Sequence, residues 1–227
     1  MGTREIILCV VLGLAVVGTI VWLAVTGRSK KFKARDIAMI GILTAMSVVL
    51  ARLLGINSPI IKLSFDFIPI VFAALYFGPA YSFLVSALAD FVGAILFPSG
   101  AFNPIFTIIA GLIGLCYGLW LYWGSPLNKG LRSFFGGLFK NSAKKELLVS
   151  GGCALVAAVF DIAVFTLIVT PVILHWYYGL AYAALYSTRI VKAVILIPLE
   201  TIVVTVLDLQ VIPRLKKSLG RSKKRTA

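Results

Sequence analysis

The chain has 227 residues, 60% hydrophobic and 13% charged, with a mean hydropathy of +1.03. A soluble domain carries about 25% charged residues, so an ordinary water-soluble fold is excluded and an all-α polytopic membrane protein is indicated, each span taking about 20 apolar residues. The net charge of +14 would suggest nucleic acid in a soluble protein, but it is gathered in residues 28–35, 129–145 and 214–225, between or after apolar runs. There it reports topology and attraction to anionic lipid. No soluble domain remains to carry nucleic-acid binding.

Residues 6–25 form the first apolar run, with Trp22 near its end. Its positive cluster, Arg28, Lys30, Lys31, Lys33 and Arg35, follows the run, whereas a signal peptide carries its charge in front. The run is read as an uncleaved additional transmembrane helix. Six further spans are expected over 36–54, 64–77, 79–97, 104–122, 147–170 and 188–209. Alternation then puts all three basic blocks on the cytoplasmic side, with the N-terminus outside and the C-terminus inside. The opposite loops, 55–63, 98–103 and 171–187, hold only Lys62 and His175 as basic groups. The domain plan is an extra helix with a basic linker (1–35), a six-helix domain (36–210) and a basic tail (211–227).

The span 64–77 has about 14 residues, roughly 21 Å at 1.5 Å per residue, against a hydrocarbon core of about 30 Å. It also contains Asp66 and Pro69. A short, broken span needs cover from its neighbours. It either lines a binding site or is a kinked packing helix. In the next span, Ser82, Ser86, Asp90, Gly93 and Phe97 share one helical face, while Phe83, Leu84, Leu88, Phe91 and Leu96 suit lipid. A carboxylate in such a helix must face protein or water, so the inner face is expected in a polar interior and loop 98–103 at one membrane surface. Thr107, Gly111, Gly114 and Gly118 form one small-residue stripe, and Ser150, Ala154, Ala157 and Asp161 another. Such stripes make helix seams. Gly41 and Ala45 form a similar pair, for packing or for a partner protein. Cys9, Cys116 and Cys153 lie in apolar runs without pairing spacing.

The ionisable groups inside or at the outer ends of the spans are Arg52, Asp66, Asp90, Asp161, Arg189, Lys192 and Glu200. Topology puts Arg52, Asp66, Arg189 and Lys192 near the outer surface, and Asp161 and Glu200 nearer the middle. Arg189, Lys192, Leu196 and Glu200 lie along one face of the last helix. Two readings stand. Asp66 or Asp90 pairs with Arg52 or Arg189 and the pairs fasten the bundle, or an outward-facing pocket presents its cations to an anionic solute. Phe102, Asn103, Trp176, Tyr177, Tyr178, Tyr182 and Tyr186 sit at the same level. Most suit a membrane belt, and one or two turned inward would stack on a flat ring. Catalysis has little support. The sole histidine, His175, has no metal cluster around it, and there is no phosphate-binding loop. No cofactor is expected.

Three stretches carry a resemblance, in matching order: AMSVVLARLLGINSPIIKLSFDFIPIVFAALYFGP (45–79), SALADFVGAILFPSGAFNPIFT (86–107) and STRIVKAVILIPLE (187–200). From about residue 36 to 209 the chain resembles the substrate-binding S component of energy-coupling factor vitamin transporters, most closely the folate family. The resemblance implies a six-helix membrane subunit, here with one added N-terminal helix. Such a subunit captures a vitamin from outside, docks on a transmembrane coupling protein driven by two cytosolic ATPases, and topples in the bilayer to release its cargo. It also implies a pocket from loops 55–63 and 98–103 and the helix ends around Pro104, Pro171 and Arg189. Arg189, Lys192 and Arg52 would meet carboxylate, Asp90 and Asn103 would hydrogen-bond or orient the loop, and Phe102 and Trp176 would stack. Lys62 and Asp66 complete the expected pocket, and Gly41 and Ala45 would contact the coupling protein. One departure is local: the family's last-helix motif continues Thr-Arg-Ile-Pro-Lys-Gln, whereas Val191 and Ala193 stand here for the proline and glutamine. A different vitamin or cofactor precursor therefore stays open beside folate. A membrane scaffold without a small-molecule pocket is the rival from another class.

Overall fold

The computed structural model describes residues 34–53, 55–57, 62–98, 103–140, 144–179, 181–211 and 213. The expected span at 6–25 and the basic tail from residue 214 lie outside the described residues. The chain runs through α1 (Ala34–Arg52), a small antiparallel hairpin of β1 (Ile56–Asn57) and β2 (Lys62–Leu63), α2 (Phe67–Tyr76), α3 (Pro79–Leu96) and α4 (Pro104–Leu121). It continues through α5 (Pro126–Leu138) and α6 (Lys145–Asp161), which passes by a π-helical stretch (Ile162–Val169) into α7 (Thr170–Tyr178). The last helix, α8 (Tyr182–Val206), ends in a π turn (Leu207–Val211). Among the described residues, five stretches are long and apolar enough to cross a membrane: Ala34–Arg52, Pro79–Leu96, Pro104–Leu121, Lys145–Tyr177 and Tyr182–Val211. The architecture is that of an all-α polytopic membrane protein.

Helix starts follow local chemistry. α3, α4 and α5 each begin with proline after Gly78, Asn103 and Ser125, the position where a missing N–H is harmless. Gly78 adopts φ +101°, which only glycine accepts readily. Asn103 caps α4, its side-chain oxygen accepting from the Ile105 N–H at 3.0 Å.

The tightest seam joins α3 and α4. A Cβ placed on Gly114 would lie 2.3 Å from the Ser82 carbonyl oxygen, and one on Gly118 would lie 2.2 Å from Pro79 Cα. The glycine stripe therefore buys backbone contact that a methyl group would abolish. Phe83, expected to face lipid, instead lies half-buried with its ring in this seam, 2.7 Å from where a Gly111 Cβ would stand. The glycine leaves a gap, and the ring occupies it. Gly118→Ala should lower the thermal midpoint of the detergent-solubilised protein by the equivalent of about 1–3 kcal/mol, the scale of overpacking. Gly41→Ala, whose Cβ would meet nothing within 4 Å among the described residues, should leave it unchanged. Equal behaviour of the two variants would refute the seam.

α2 is the apolar centre, with Phe67, Ile70, Val71, Ala73, Ala74 and Leu75 all buried. It is shorter than the expected 64–77 span, because residues 64–66 approach it without helical structure. Its cover comes from α1, α3 and α4. The second stripe, Ser150, Ala154, Ala157 and Asp161, is wholly buried, in the helix that packs on α8.

Two expectations need correction. Residues 171–187 are not a loop: α7 runs to Tyr178 and α8 starts at Tyr182, with Gly179 in the left-handed region (φ +64°) between them. Pro171 does not end the helix. Its ring and missing N–H disfavour a regular α-turn before it, and the preceding chain is wound as the wider π form, which absorbs such a defect. The basic stretch 129–145, where no helix was expected, is mostly occupied by α5. α5 is held by Asp208 of the final π turn, which accepts from Trp123 Nε1 at 2.7 Å and Ser150 Oγ at 2.7 Å and forms an ion pair with Arg132. Arg132 Nε also donates to Asn128 Oδ1 at 2.9 Å, and the guanidinium lies 4.2 Å from the Trp123 ring centre.

Candidate substrate-binding site

A cavity of about 450 Å³ opens at the end of the bundle opposite α5. That size falls in the usual range for small-molecule sites, about 300–1,000 Å³. α1 contributes Ser47 and Arg52 at its C-terminal end, the lead-in to α2 contributes Ser64 and Asp66, and α3 contributes Ser86 and Asp90. Ile70, Ala89 and Ala110 supply apolar wall.

Hydroxyls hold the polar lining in place. Ser64 Oγ donates to Asp66 Oδ1 at 2.7 Å, and Ser47 Oγ donates to the Asp66 carbonyl at 3.1 Å. Across the cavity, Thr107 Oγ1 donates to Asp90 Oδ2 at 2.7 Å, and Ser86 Oγ donates to the Ala110 carbonyl at 2.6 Å. Each carboxylate keeps one oxygen with no hydrogen bond among the described residues. Gly93, nearly one turn beyond Asp90, makes room for the Arg52 guanidinium: a Cβ there would lie 3.4 Å from Arg52 Nε. The cavity thus offers acceptors on two sides and a cation on a third.

A second polar group lies deeper, where α4, α6 and α8 meet. The buried Tyr117 hydroxyl donates to Glu200 Oε2 at 2.7 Å and sits 3.4 Å from Asp161 Oδ2. Asp161 Oδ1 is buried without a partner among the described residues. Lys192, half-buried on α8, interacts electrostatically with Asp66, Glu200 and Asp161, which links this group to the cavity lining. Arg189 donates from Nη1 to the Thr166 carbonyl at 3.3 Å, within the π-helical stretch. Its Nε is buried with no partner among the described residues, an unfavourable state for a donor unless something fills it.

The fastening pairs considered from sequence do not form. Asp66 and Asp90 bond to hydroxyls and Arg189 to a carbonyl, while among the described residues an ion pair stands at the far end between Arg132 and Asp208. Of the expected site residues, the cavity brings together Arg52, Asp66 and Asp90. Arg189 and Lys192 belong to the α8 side, and Asn103 acts as the α4 cap. Trp176 is half-buried in α7 and off the cavity wall, rather than in a loop. Phe102 and the Lys62 side chain lie outside the described residues. Gly41 and Ala45 are exposed on α1. Sequence reasoning missed Tyr117, although a tyrosine midway along an apolar span signals a hydroxyl in need of a partner.

A helical membrane bundle with a small, charged cavity at one end defines a membrane-embedded solute-binding subunit. The chain belongs to the ECF transporter substrate-specific component family, which matches residues 35–207. It is similar to the folate transporter FolT of Clostridium novyi (strain NT), with 31% identity over 159 residues, 70% of this chain and 79% of that one. The folate transporter FolT of Leuconostoc mesenteroides is 33% identical over 89 residues, 39% of this chain and 48% of that one. Among solved structures, that of FolT bound with folic acid matches with a TM-score of 0.62 and 28% identity, covering 78% of this chain and 93% of the other. The resemblance read from the three sequence stretches is borne out.

Proposed function

We propose that this chain is the high-affinity capture subunit for folate in an ATP-driven energy-coupling factor transporter. The observation that carries the reading is the match to FolT bound with folic acid across 93% of that chain. The site chemistry suits such a cargo. A pterin offers N–H donors for the open oxygens of Asp66 and Asp90, and a glutamyl tail offers carboxylates to Arg52, Lys192 and the unpaired Nε of Arg189. Read from sequence, Phe102 and Trp176 are the candidates for stacking and Lys62 a further candidate cation, while the Asn103 cap fixes where α4 begins. The departures at 191 and 193 bear on packing rather than on the cavity: Val191 is exposed, and Ala193 is buried against Ile162 and Leu196.

The cavity end faces outside and the α5 end faces the cytosol, with the residues before α1 adding a seventh span whose N-terminus is outside. The domain plan of 1–35, 36–210 and 211–227 goes with this topology. Gly41 and Ala45 form a smooth exposed strip on α1 for the transmembrane coupling protein, which two cytosolic ATPases drive. The chain itself performs no catalysis. Titrating the detergent-solubilised protein with folate and a panel of other vitamins by calorimetry should give tight one-to-one binding of folate. Tight binding of another vitamin would keep the class and reject the cargo. Silence across the panel from folded protein would favour the scaffold.

A further inference from the structure

α5 is an amphipathic helix whose apolar side is not covered by the other described residues. Its inward side carries Asn128, Arg132, Phe135 and Phe139. Asn128 Nδ2 donates to the Trp120 carbonyl at 2.6 Å, Arg132 reaches Asp208, and the Phe135 ring lies 3.1 Å from where a Gly152 Cβ would stand. Those contacts set the rotation of the helix about its axis. Leu127, Phe134 and Leu138, on an adjoining face, are thereby left 44%, 67% and 65% exposed. Lys129 projects from the side opposite this apolar strip, and Lys140, two residues past the end of α5, is exposed like it.

The position of α5 says what lies against it. It begins five residues after α4 ends and finishes seven before α6 begins, so it lies at the level where two spans leave the bilayer. Leu147 and Leu148, in the first turn of α6, are exposed as well, so acyl chains already reach this level. We propose that α5 lies flat on the membrane surface at this end, with Leu127, Phe134 and Leu138 sunk among acyl chains and Lys129 and Lys140 among anionic lipid headgroups. A helix about 10–12 Å across seated at the headgroup boundary keeps its upper face within the polar layer, where each lysine gains from anionic lipid. The Arg132–Asp208 pair, pointing inward, orients the helix without using up its lipid-facing charges. The inference rests on membrane placement and not on cargo, so a failed folate titration leaves it standing.

The test uses nanodiscs of phosphatidylcholine alone or with one-third phosphatidylglycerol, holding the full chain with Cys9, Cys116 and Cys153 replaced by alanine. Nitroxide labels are attached at Phe134→Cys, Leu138→Cys or Ser133→Cys. Labels at 134 and 138 should collide more with oxygen than with a water-soluble nickel complex, and the label at 133 the reverse. Adding phosphatidylglycerol should deepen 134 and 138, and Lys129→Glu with Lys140→Glu should remove that dependence. A face reserved for the coupling protein would be open to nickel in its absence, and that result would overturn the proposal. So would a depth indifferent to lipid charge in the native sequence. If the cysteine-free chain does not fold, Phe134→Trp in the native background should gain quenching by lipids brominated on the acyl chain, relative to the unsubstituted protein. No gain would likewise count against it.

Discussion

Asp208→Ala is expected to destabilise the protein by about 3–5 kcal/mol, the scale of breaking a buried ion pair from one side. The carboxylate is 3% exposed and serves three donors from three different places in the chain: Trp123 Nε1, Ser150 Oγ and the Arg132 guanidinium. Its removal leaves a largely buried cation against the Trp123 ring and a buried hydroxyl without its acceptor. The loss should appear as lower yield and a lower thermal midpoint in detergent. The double variant Asp208→Leu with Arg132→Met should recover part of it, because no uncompensated charge remains. If Asp208→Ala unfolds like the unsubstituted protein, the network does not hold α5 to the bundle.

Arg189→Ala is expected to act on binding instead. Folate affinity should fall by about 1.5–3 kcal/mol, the scale of a hydrogen bond to a charged group, or roughly 10- to 150-fold in Kd. Folding should be spared, since among the described residues the side chain makes one bond, at 3.3 Å to the Thr166 carbonyl, and its buried Nε has no partner. Arg189→Lys should be intermediate, because an ammonium keeps the charge but not the two-pronged geometry. Calorimetry beside a thermal melt separates the two effects. A variant that binds folate normally but is recovered in poor yield would make Arg189 a fastener of the π-helical stretch.

Membrane class, the buried serine face of α3, both small-residue stripes and most span limits were legible in the chain because they depend on local hydropathy and helical period, whereas Phe83 and Phe97 fell on the opposite sides of α3 from those expected. Four of the expected helix starts, Asp36, Ser64, Leu147 and Thr188, were displaced: α2 begins later at Phe67, while α1, α6 and α8 begin earlier, at Ala34, Lys145 and Tyr182. Pro171 was misread because proline is a terminator in isolation, whereas the folded chain carries a π-helical stretch just before it. α5 was hidden by Lys129, Arg132 and its three glycines. Its apolar residues come at helical spacing, but their mean hydropathy is too low to stand out beside true spans.

By itself, then, the sequence determined that this is a helical membrane protein, roughly where its helices run, and which family its motifs resemble. All of that is written in neighbours a few residues apart. Only the tertiary structure decided which charges meet. Tyr117 reaches Glu200 across 83 residues and Arg132 reaches Asp208 across 76, while Asp66 and Asp90 share a cavity with Arg52 and not with Arg189. Such pairings depend on the rotation and spacing of packed helices. At the α3–α4 seam that spacing is set by the close approach the glycines permit, and no local pattern reports it.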